Sequence, residues 1–354
     1  MKFYLNEAEK EKLLALFNQH DINLDYIFNI IDALSKDYQL VSPKEQTALK
    51  GKSEFEFRKE AFANFEKQIG YRNEFIKKNM MWDTVILKAD HFYANPYLKA
   101  LEKVSFNEND WSLVKAKTEA YKIVPLQEEY PFGSNYALKM SLAMFDKDYV
   151  YPSIRLFDTE WMSLNPHEIR TMEVPIQLAR GKVLTLGLGL GYFTFMAHLK
   201  EEVKEVHVVE MDVELINLFN KYLLPLFPHP EKIHIHKADA FHFIENIKDK
   251  DYDYIFSDLW HNVQDGVPAY LKLKKHFKDF TYTTCTYWIE NSILVYLRFV
   301  VIEMMRNDYY DIHGDKYDEL ELFVRDKIKD YEVCNTYDID DILNLKGLNK
   351  IYFE

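Results

Sequence analysis

Glycine and cysteine are scarce in this chain, and its 44 Lys and Arg residues are outnumbered by 57 Asp and Glu residues. Ten glycines in 354 residues are about half of the roughly 7% that is usual. The two cysteines, Cys285 and Cys334, form no CxxC pair, so we expect a cytoplasmic, reducing setting without a disulfide framework. A formal net charge of −13 argues against nucleic acid as a partner, because sequence-independent binding to it needs a basic surface.

Long apolar segments are absent as well. The most apolar run, Ile293–Met305, is interrupted by Arg298 and Glu303 and is too short to cross a bilayer. The first residues become charged too early for a secretory signal. The lysine-rich stretch at 272–278 is the strongest basic patch, and a solvated helix face accounts for it. We therefore expect a soluble protein that has no membrane partner.

The hydrophobic and aromatic content predicts large hydrophobic cores, because 48% of the residues are hydrophobic and the chain contains 25 Phe, 25 Tyr and 5 Trp. Residues 1–135 predict a mainly helical N-terminal domain without assignable chemistry, which leaves a capping role and a homo-oligomer open. Residues 136–164 contain three short β-rich runs and predict a small antiparallel β meander. Residues 307–354 predict a C-terminal extension with a helix near 317–330 and a terminal strand at Lys350–Phe353.

Apolar strands and helices alternate through residues 165–306. Asn165-Pro166-His167-Glu168 is typical of a helix start, with Asn as the N-cap and Pro in the first turn. Five strands separated by helices follow, at 183–186, 206–210, 233–236, 252–257 and 280–287. This alternation predicts an α/β fold with a doubly wound, mostly parallel Rossmann-like sheet.

Four of the ten glycines lie between Gly181 and Gly191, directly after the first of these strands. Gly187, Gly189 and Gly191 therefore mark the place where a strand turns sharply into a helix and a ligand can approach bare backbone. A dinucleotide fingerprint, G-x-G-x-x-G, requires glycine at position 192. This chain has Tyr192 there, which weakens the dinucleotide interpretation.

Carboxylates follow two further strands. Glu210 ends the second strand and is the type of residue that accepts both hydroxyls of a ribose. Asp239 follows the third strand, in Lys237-Ala238-Asp239-Ala240-Phe241. An exposed strand end explains Glu210 equally well, and a helix N-cap explains Asp239. Because the glycine turn and both acids share the carboxyl edge of the sheet, together they predict a ligand site there.

The G-x-G-x-G run with an aromatic after it resembles the first motif of class I S-adenosylmethionine-dependent methyltransferases. Within that superfamily, residues 136 to about 290 are most similar to the spermidine synthase branch. The features that carry this resemblance are the meander, the helix Pro166–Glu173, the glycine turn, and the strand ends at Val209–Asp212 and Asp258. The resemblance implies S-adenosyl-L-methionine as cofactor, with Asp239 accepting from the adenine amino group. The cofactor-binding residues that it implies are Gly187, Gly189, Gly191, Tyr192, Glu210, Met211, Asp239, Ala240 and Asp258.

The same placement makes the end of the fourth strand, Ser257-Asp258-Leu259-Trp260-His261-Asn262, the reaction edge. Asp258 and His261 are the candidate catalytic residues, since either could manage the proton of an acceptor. A loop cap and a solvent-facing histidine are the alternatives. Trp260 and Glu168 are candidates for the substrate pocket, and Trp260 and Tyr192 could face a sulfonium charge.

Two departures from the polyamine synthases decide the expected activity. Those enzymes carry an Asp in the glycine turn where this chain has Leu190, and a second Asp-Pro where it has His261-Asn262. Because both missing acids would recognise cationic amines, we expect an S-adenosylmethionine-dependent methyltransferase acting on a small-molecule or peptide acceptor. The alternatives are a polyamine aminopropyltransferase that uses decarboxylated S-adenosylmethionine, and a non-catalytic sensor or scaffold.

One further pair of residues has metal-binding character. His234 and His236 lie two positions apart on the third strand and therefore share a face. The sequence offers no third ligand for them, so no metal is expected.

Overall fold

The computed structural model describes residues 1–35, 41–48, 50–68, 81–128, 130–132, 136–312 and 317–354. The chain begins with a short strand, β1 (Lys2–Phe3), and a long helix, α1 (Glu7–Ser35). Helices α2 (Pro43–Ala48) and α3 (Glu54–Gln68) follow. Helices thus dominate the described residues as far as Gln68, as the sequence predicts.

From Met81 onward the region predicted to be mainly helical contains strands as well. The elements are β2 (Met81–Leu87), α4 (Ala89–Tyr93), α5 (Pro96–Ala100), β3 (Phe106–Glu108), β4 (Trp111–Thr118), β5 (Val124–Pro125) and β6 (Tyr130–Phe132). Buried positions on β4 alternate at Trp111 and Leu113, which is the two-residue period of a half-buried strand. The helical prediction for residues 1–135 is therefore wrong for this part.

The predicted meander is also only partly present. Strand β7 (Ala137–Phe145) pairs with β2, β5 and β6, whereas β8 (Tyr149–Leu156) pairs with β4 and with β9 (Thr159–Ser163). The pairings of the described residues therefore place β7 and β8 in different sheets, and the carboxylates of the Asp-rich connection between them accept from other segments. Asp146 accepts from the Ala89 amide, and Asp148 accepts from the Ala120 amide.

Two short helices, α6 (Pro166–Thr171) and α7 (Glu173–Leu178), lead into the central sheet. The side chain of Asn165 accepts from the amide of Glu168 at 2.9 Å, so the predicted N-cap is confirmed. This cap fixes the direction in which α6 leaves β9.

The central sheet has five parallel strands in the order β12–β11–β10–β13–β14. Its strands are β10 (Gly181–Leu186), β11 (Val203–Glu210), β12 (Ile233–Lys237), β13 (Tyr254–Ser257) and β14 (Thr284–Tyr287). The intervening helices are α8 (Tyr192–His198), α9 (Val213–Leu218), α10 (Ala240–Ile244) and α11 (Val263–Phe277), and α12 (Glu290–Tyr309) follows β14. The predicted doubly wound α/β fold is confirmed. Because the strand order reverses between β10 and β13, a crevice opens at their carboxyl ends.

The last elements are α13 (Glu319–Ile328), β15 (Glu332–Val333), α14 (Thr336–Leu343) and α15 (Leu345–Phe353). Strand β15 pairs in parallel with β1. The predicted strand at Lys350–Phe353 is wrong, since these residues end α15. The side chain of Asn344 caps that helix, and Leu348, Ile351 and Tyr352 are buried at helical spacing. No helix in the described ranges has both the length and the apolar character needed to span a membrane.

Candidate active site

The glycine turn after β10 has a backbone that only glycine adopts without strain. Gly187 has φ of 98°, and Gly189 has φ of 51°, both in the left-handed region. A Cβ atom on Gly187 would lie 2.0 Å from the carbonyl oxygen of Asp258, and one on Gly189 would lie 2.6 Å from the Met162 sulfur. Gly191 then precedes α8 as its N-cap residue.

Residues from earlier in the chain support this turn from outside. The amide of Leu190 donates to the sulfur of Met162 at 3.0 Å, and the hydroxyl of Tyr97 donates to the Leu190 carbonyl at 2.5 Å. The side-chain amide of Asn95 donates to the Tyr192 hydroxyl at 2.9 Å. These contacts fix the turn between the central sheet and the segment that precedes it.

Glu210 points toward the glycine turn. Its Oε2 accepts from the Leu188 amide at 3.2 Å, and its Oε1 accepts from the amides of Met211 and Asp212 at 2.8 and 2.9 Å. A carboxylate has about four acceptor positions, so these bonds leave one for a ligand. Glu210 therefore ties the end of β11 to the glycine turn that follows β10.

Asp239 caps α10, which was the alternative interpretation of this residue. Its Oδ1 accepts from the His242 amide at 3.0 Å, and its side chain is 41% exposed. The second oxygen has no partner among the described residues, so it can accept from a ligand. Ala240 beside it is buried and Met211 is exposed.

Two carboxyl groups meet at the carboxyl edge of the sheet, Asp258 at the end of β13 and Glu168 on α6. Burial raises the pKa of Asp258 to about 7. Burial also raises the pKa of Glu168 well above its usual value, with further contributions from the negative charges of Asp258 and Glu160. Glu160, at the rim, accepts from the hydroxyls of Ser153 and Ser163. We call Glu160, Glu168 and Asp258 the acidic cluster.

Among the described residues, no cation pairs with Glu168 or Asp258. Within the described part of the chain, the carboxyl groups of Glu168 and Asp258 form no ion pair and no hydrogen bond. Neighbouring acids without a counter-ion disfavour each other's ionisation, as does their removal from water. The site is thus built to accept positive charge or a proton.

The other residues that the sequence selects lie around this cluster or away from it. His261 is at the surface, 43% exposed, with Nδ1 at 3.2 Å from Asp265 Oδ2, and its ring packs edge-on against Trp161. Trp260 is buried, and its indole nitrogen has no hydrogen-bond partner in the described ranges of the chain.

Tyr192 is only 2% exposed. Burial raises the pKa of its hydroxyl to about 12. The ring lines a separate cavity of about 440 Å³ that also contains Arg170 and Lys200. Tyr192 therefore lines this cavity, and its hydroxyl accepts from the side-chain amide of Asn95.

Sequence reasoning assigned no role to Glu160, Met162 or Tyr97. Of these three residues, only Glu160 has a signal in the sequence, because it is a charged residue within the β-rich run 160–164. Tyr97 and Met162 lie 93 and 28 residues from Leu190, which they contact, so no local pattern could have found them.

Comparison with known proteins gives one family match. Residues 172–286 match the family model of the spermine/spermidine synthase domain. This segment contains the glycine turn, Glu210, Asp239 and Asp258, so the predicted resemblance to the spermidine synthase branch is confirmed. The match favours the aminopropyltransferase alternative over the methyltransferase. No curated protein matches the chain in sequence.

Similar solved structures include a spermidine synthase from Thermotoga maritima, with 15% identity and a TM-score of 0.32 over 42% of this chain and 54% of that one. A spermidine synthase in complex with the transition state analogue AdoDATO has 16% identity and a TM-score of 0.33 over 42% and 56%. The 23S rRNA methyltransferase ErmE has 18% identity and a TM-score of 0.23 over 31% and 39%. The chain thus spans little more than half the length of either spermidine synthase.

Proposed function

We propose that this chain is a transferase of the aminopropyltransferase type, which transfers the alkyl group of decarboxylated S-adenosylmethionine to a cationic amine. The observation that carries the proposal is the pair of carboxyl groups on Glu168 and Asp258, which have no partner among the residues that the structure describes. The match of residues 172–286 to the spermine/spermidine synthase domain supports it. An ammonium group would supply the opposite charge that this pair lacks, and charge-assisted hydrogen bonds to it would be strong.

The pKa of Asp258, about 7, suits the proton transfer that the reaction requires. An amine attacks only after it has lost a proton, and a base with a pKa near the working pH removes it best. Asp258 accepts that proton, and the nitrogen lone pair forms the new N–C bond. The C–S bond breaks, and its electron pair stays on sulfur as a neutral thioether. Glu168 holds and orients the amine.

The residues at the glycine turn fit the nucleoside part of such a donor. Gly187 and Gly189 have no side chains that would keep a ligand away from the backbone. Glu210 retains one acceptor position for a ribose hydroxyl. Asp239 has a second carboxylate oxygen that can accept from an amino group. The donor supplies an electrophilic carbon activated by a positively charged sulfur. The protein aligns the reactants and excludes water.

The test compares two donors and one pair of variants. Calorimetry should give tighter binding of decarboxylated S-adenosylmethionine than of S-adenosylmethionine, and mass spectrometry should detect alkylated product from a diamine. Glu168→Gln should reduce turnover at least about tenfold, since it removes one charged contact to the amine. Glu173→Gln, an exposed neighbour that pairs with Arg170, is the matched control and should retain activity.

Methyl transfer from S-adenosylmethionine is the second candidate, and one position favours it. Leu190, a fully buried residue, stands in the glycine turn where polyamine synthases have an amine-binding Asp. Tighter binding of S-adenosylmethionine, with methylated product, would replace the first proposal by this one. Donor binding without any product would instead identify a non-catalytic sensor or scaffold.

The role of Glu210 has a direct test common to both activities. Glu210→Ala removes the acceptor for the ribose hydroxyls, so the affinity for either donor should fall at least about tenfold. Calorimetry with the folded variant measures this. An unchanged affinity would contradict the ribose-binding role.

A further inference from the structure

A cluster of imidazole and carboxylate groups lies on one face of the central sheet, at the edge formed by β11 and β12. Glu205 and His207 alternate along β11, and His234 and His236 alternate along β12. His207 is directly beside His234 in the register of the two strands. Because side chains two residues apart share a face, all four project from the same side of the sheet.

Three of these residues have the mutual distances of metal ligands. Oε2 of Glu205 lies 3.5 Å from Nε2 of His207 and 3.6 Å from Nε2 of His234. The three ligand atoms all lie within 4.8 Å of one another. In a tetrahedral zinc site with bonds of about 2.0–2.1 Å, neighbouring ligand atoms are about 3.3 Å apart. A small inward movement of the side chains would therefore complete the geometry.

The hydrogen bonding of His207 leaves one ring nitrogen for a ligand. Its Nδ1 is 2.8 Å from Nε2 of His236, whereas its own Nε2 is buried and lies 3.5 Å from Oε2 of Glu205. If Nδ1 carries the proton and donates it to His236, the lone pair of Nε2 faces Glu205 and His234. Metal-binding histidines commonly donate their second ring N–H to such a supporting acceptor.

We propose that Glu205, His207 and His234 bind a divalent transition-metal ion, with Zn²⁺ as the preferred ion and water in the fourth position. Two imidazoles and one carboxylate are suitable zinc ligands. The side chain of His234 is 44% exposed, which gives the ion an entry path. Lys182, whose Nζ is 3.5 Å from Glu205 Oε1, occupies the other carboxylate oxygen and leaves Oε2 for the ion.

This site is separate from the candidate active site. Glu205 and His207 lie on the face of β11 opposite to Glu210, because the positions differ by odd numbers. An ion held by both strands would link the edge strand β12 to β11. Its expected effect is therefore greater stability of the sheet edge, whatever reaction the chain catalyses.

The test is calorimetric titration of Zn²⁺ into the metal-free protein. We expect one Zn²⁺ per chain and a rise in melting temperature. His234→Ala, at an exposed position where folding is not at risk, should weaken binding at least about tenfold, and His207→Ala should do the same. His229→Ala is the matched control, since this exposed histidine beside Glu231 lies outside the cluster and should leave the affinity unchanged.

Two outcomes would overturn the proposal. One is the absence of stoichiometric Zn²⁺ binding. In that case a hydrogen bond between Glu205 and His207, and not a metal ion, holds these side chains together. The other is equal affinity in the wild type and His234→Ala, which would locate the ion elsewhere. Circular dichroism of each variant separates loss of a ligand from loss of the fold.

Discussion

Replacement of Asp258 by asparagine should stabilise the protein at alkaline pH. The pKa of Asp258 rises from 3.8 in its ordinary state to about 7 in the fold, because the carboxyl group is buried. The folded state therefore binds more protons than the unfolded state between about pH 4 and pH 7, and stability falls as the pH rises through this window. Above pH 7 the charged carboxylate is buried and the full penalty applies.

The size of the effect follows from the two pKa values. A shift of about three units corresponds to about 4 kcal/mol at pH 8. At pH 5 the folded carboxyl is protonated and the unfolded one is mostly ionised, so the penalty is only about 1.5 kcal/mol. Asp258→Asn has no charge at either pH. Its gain over the wild type should therefore be larger at pH 8 than at pH 5, by about 2–3 kcal/mol.

Urea unfolding at pH 5 and pH 8, followed by circular dichroism, measures this difference. Asp265→Asn is the control with the opposite sign. Partial burial acts to raise the pKa of Asp265, but hydrogen bonds from the amides of His261 and Asn262 hold it below its usual value. This variant should be less stable than the wild type at pH 8. If Asp258→Asn raises the free energy of unfolding by the same amount at both pH values, Asp258 is not a buried carboxyl group that ionises between them, and the reasoning is refuted.

Two further substitutions test the packing. Gly189→Ala places a Cβ 2.6 Å from the Met162 sulfur at φ of 51°, and urea unfolding should show a loss of about 2–4 kcal/mol. The loss should shrink in a Met162→Ala background, and an equal loss there would contradict the steric cause. Arg298→Met leaves the carbonyl of Leu343 without the buried donor that now lies 2.9 Å away. The free energy of unfolding should fall by about 1–3 kcal/mol; an unchanged value would mean that water replaces the guanidinium.

The central sheet could be predicted because each of its elements is specified locally. Strands β10 and β13 contain short apolar runs, whereas β11 and β12 intersperse buried apolar residues with polar ones. The helices between them have a 3.6-residue period, so element type and order follow from neighbouring residues. The glycine turn and the strand-end carboxylates could be placed on one edge by the same argument, since parallel strands share their carboxyl ends.

The features that the sequence did not predict depend on distant partners. Strand β7 pairs with β2, more than 50 residues earlier, and nothing in residues 137–145 distinguishes this from a local hairpin. Glu168 and Asp258 are 90 positions apart, and only the fold brings these two acids together. The helix at Lys350–Phe353 was a different kind of error, because the cap at Asn344 and the apolar spacing that follows it are visible in the sequence.

The contacts that Asn95, Tyr97 and Met162 make with the glycine turn have a practical consequence. A fragment trimmed to residues 172–286 would keep nearly all of the parallel sheet but lose all three residues. The Leu190 amide and carbonyl would then face water, and the bend that is meant to receive a nucleoside would be free to change shape. The segment that matches the family model therefore depends on residues that precede it in the chain for the native conformation of its glycine turn.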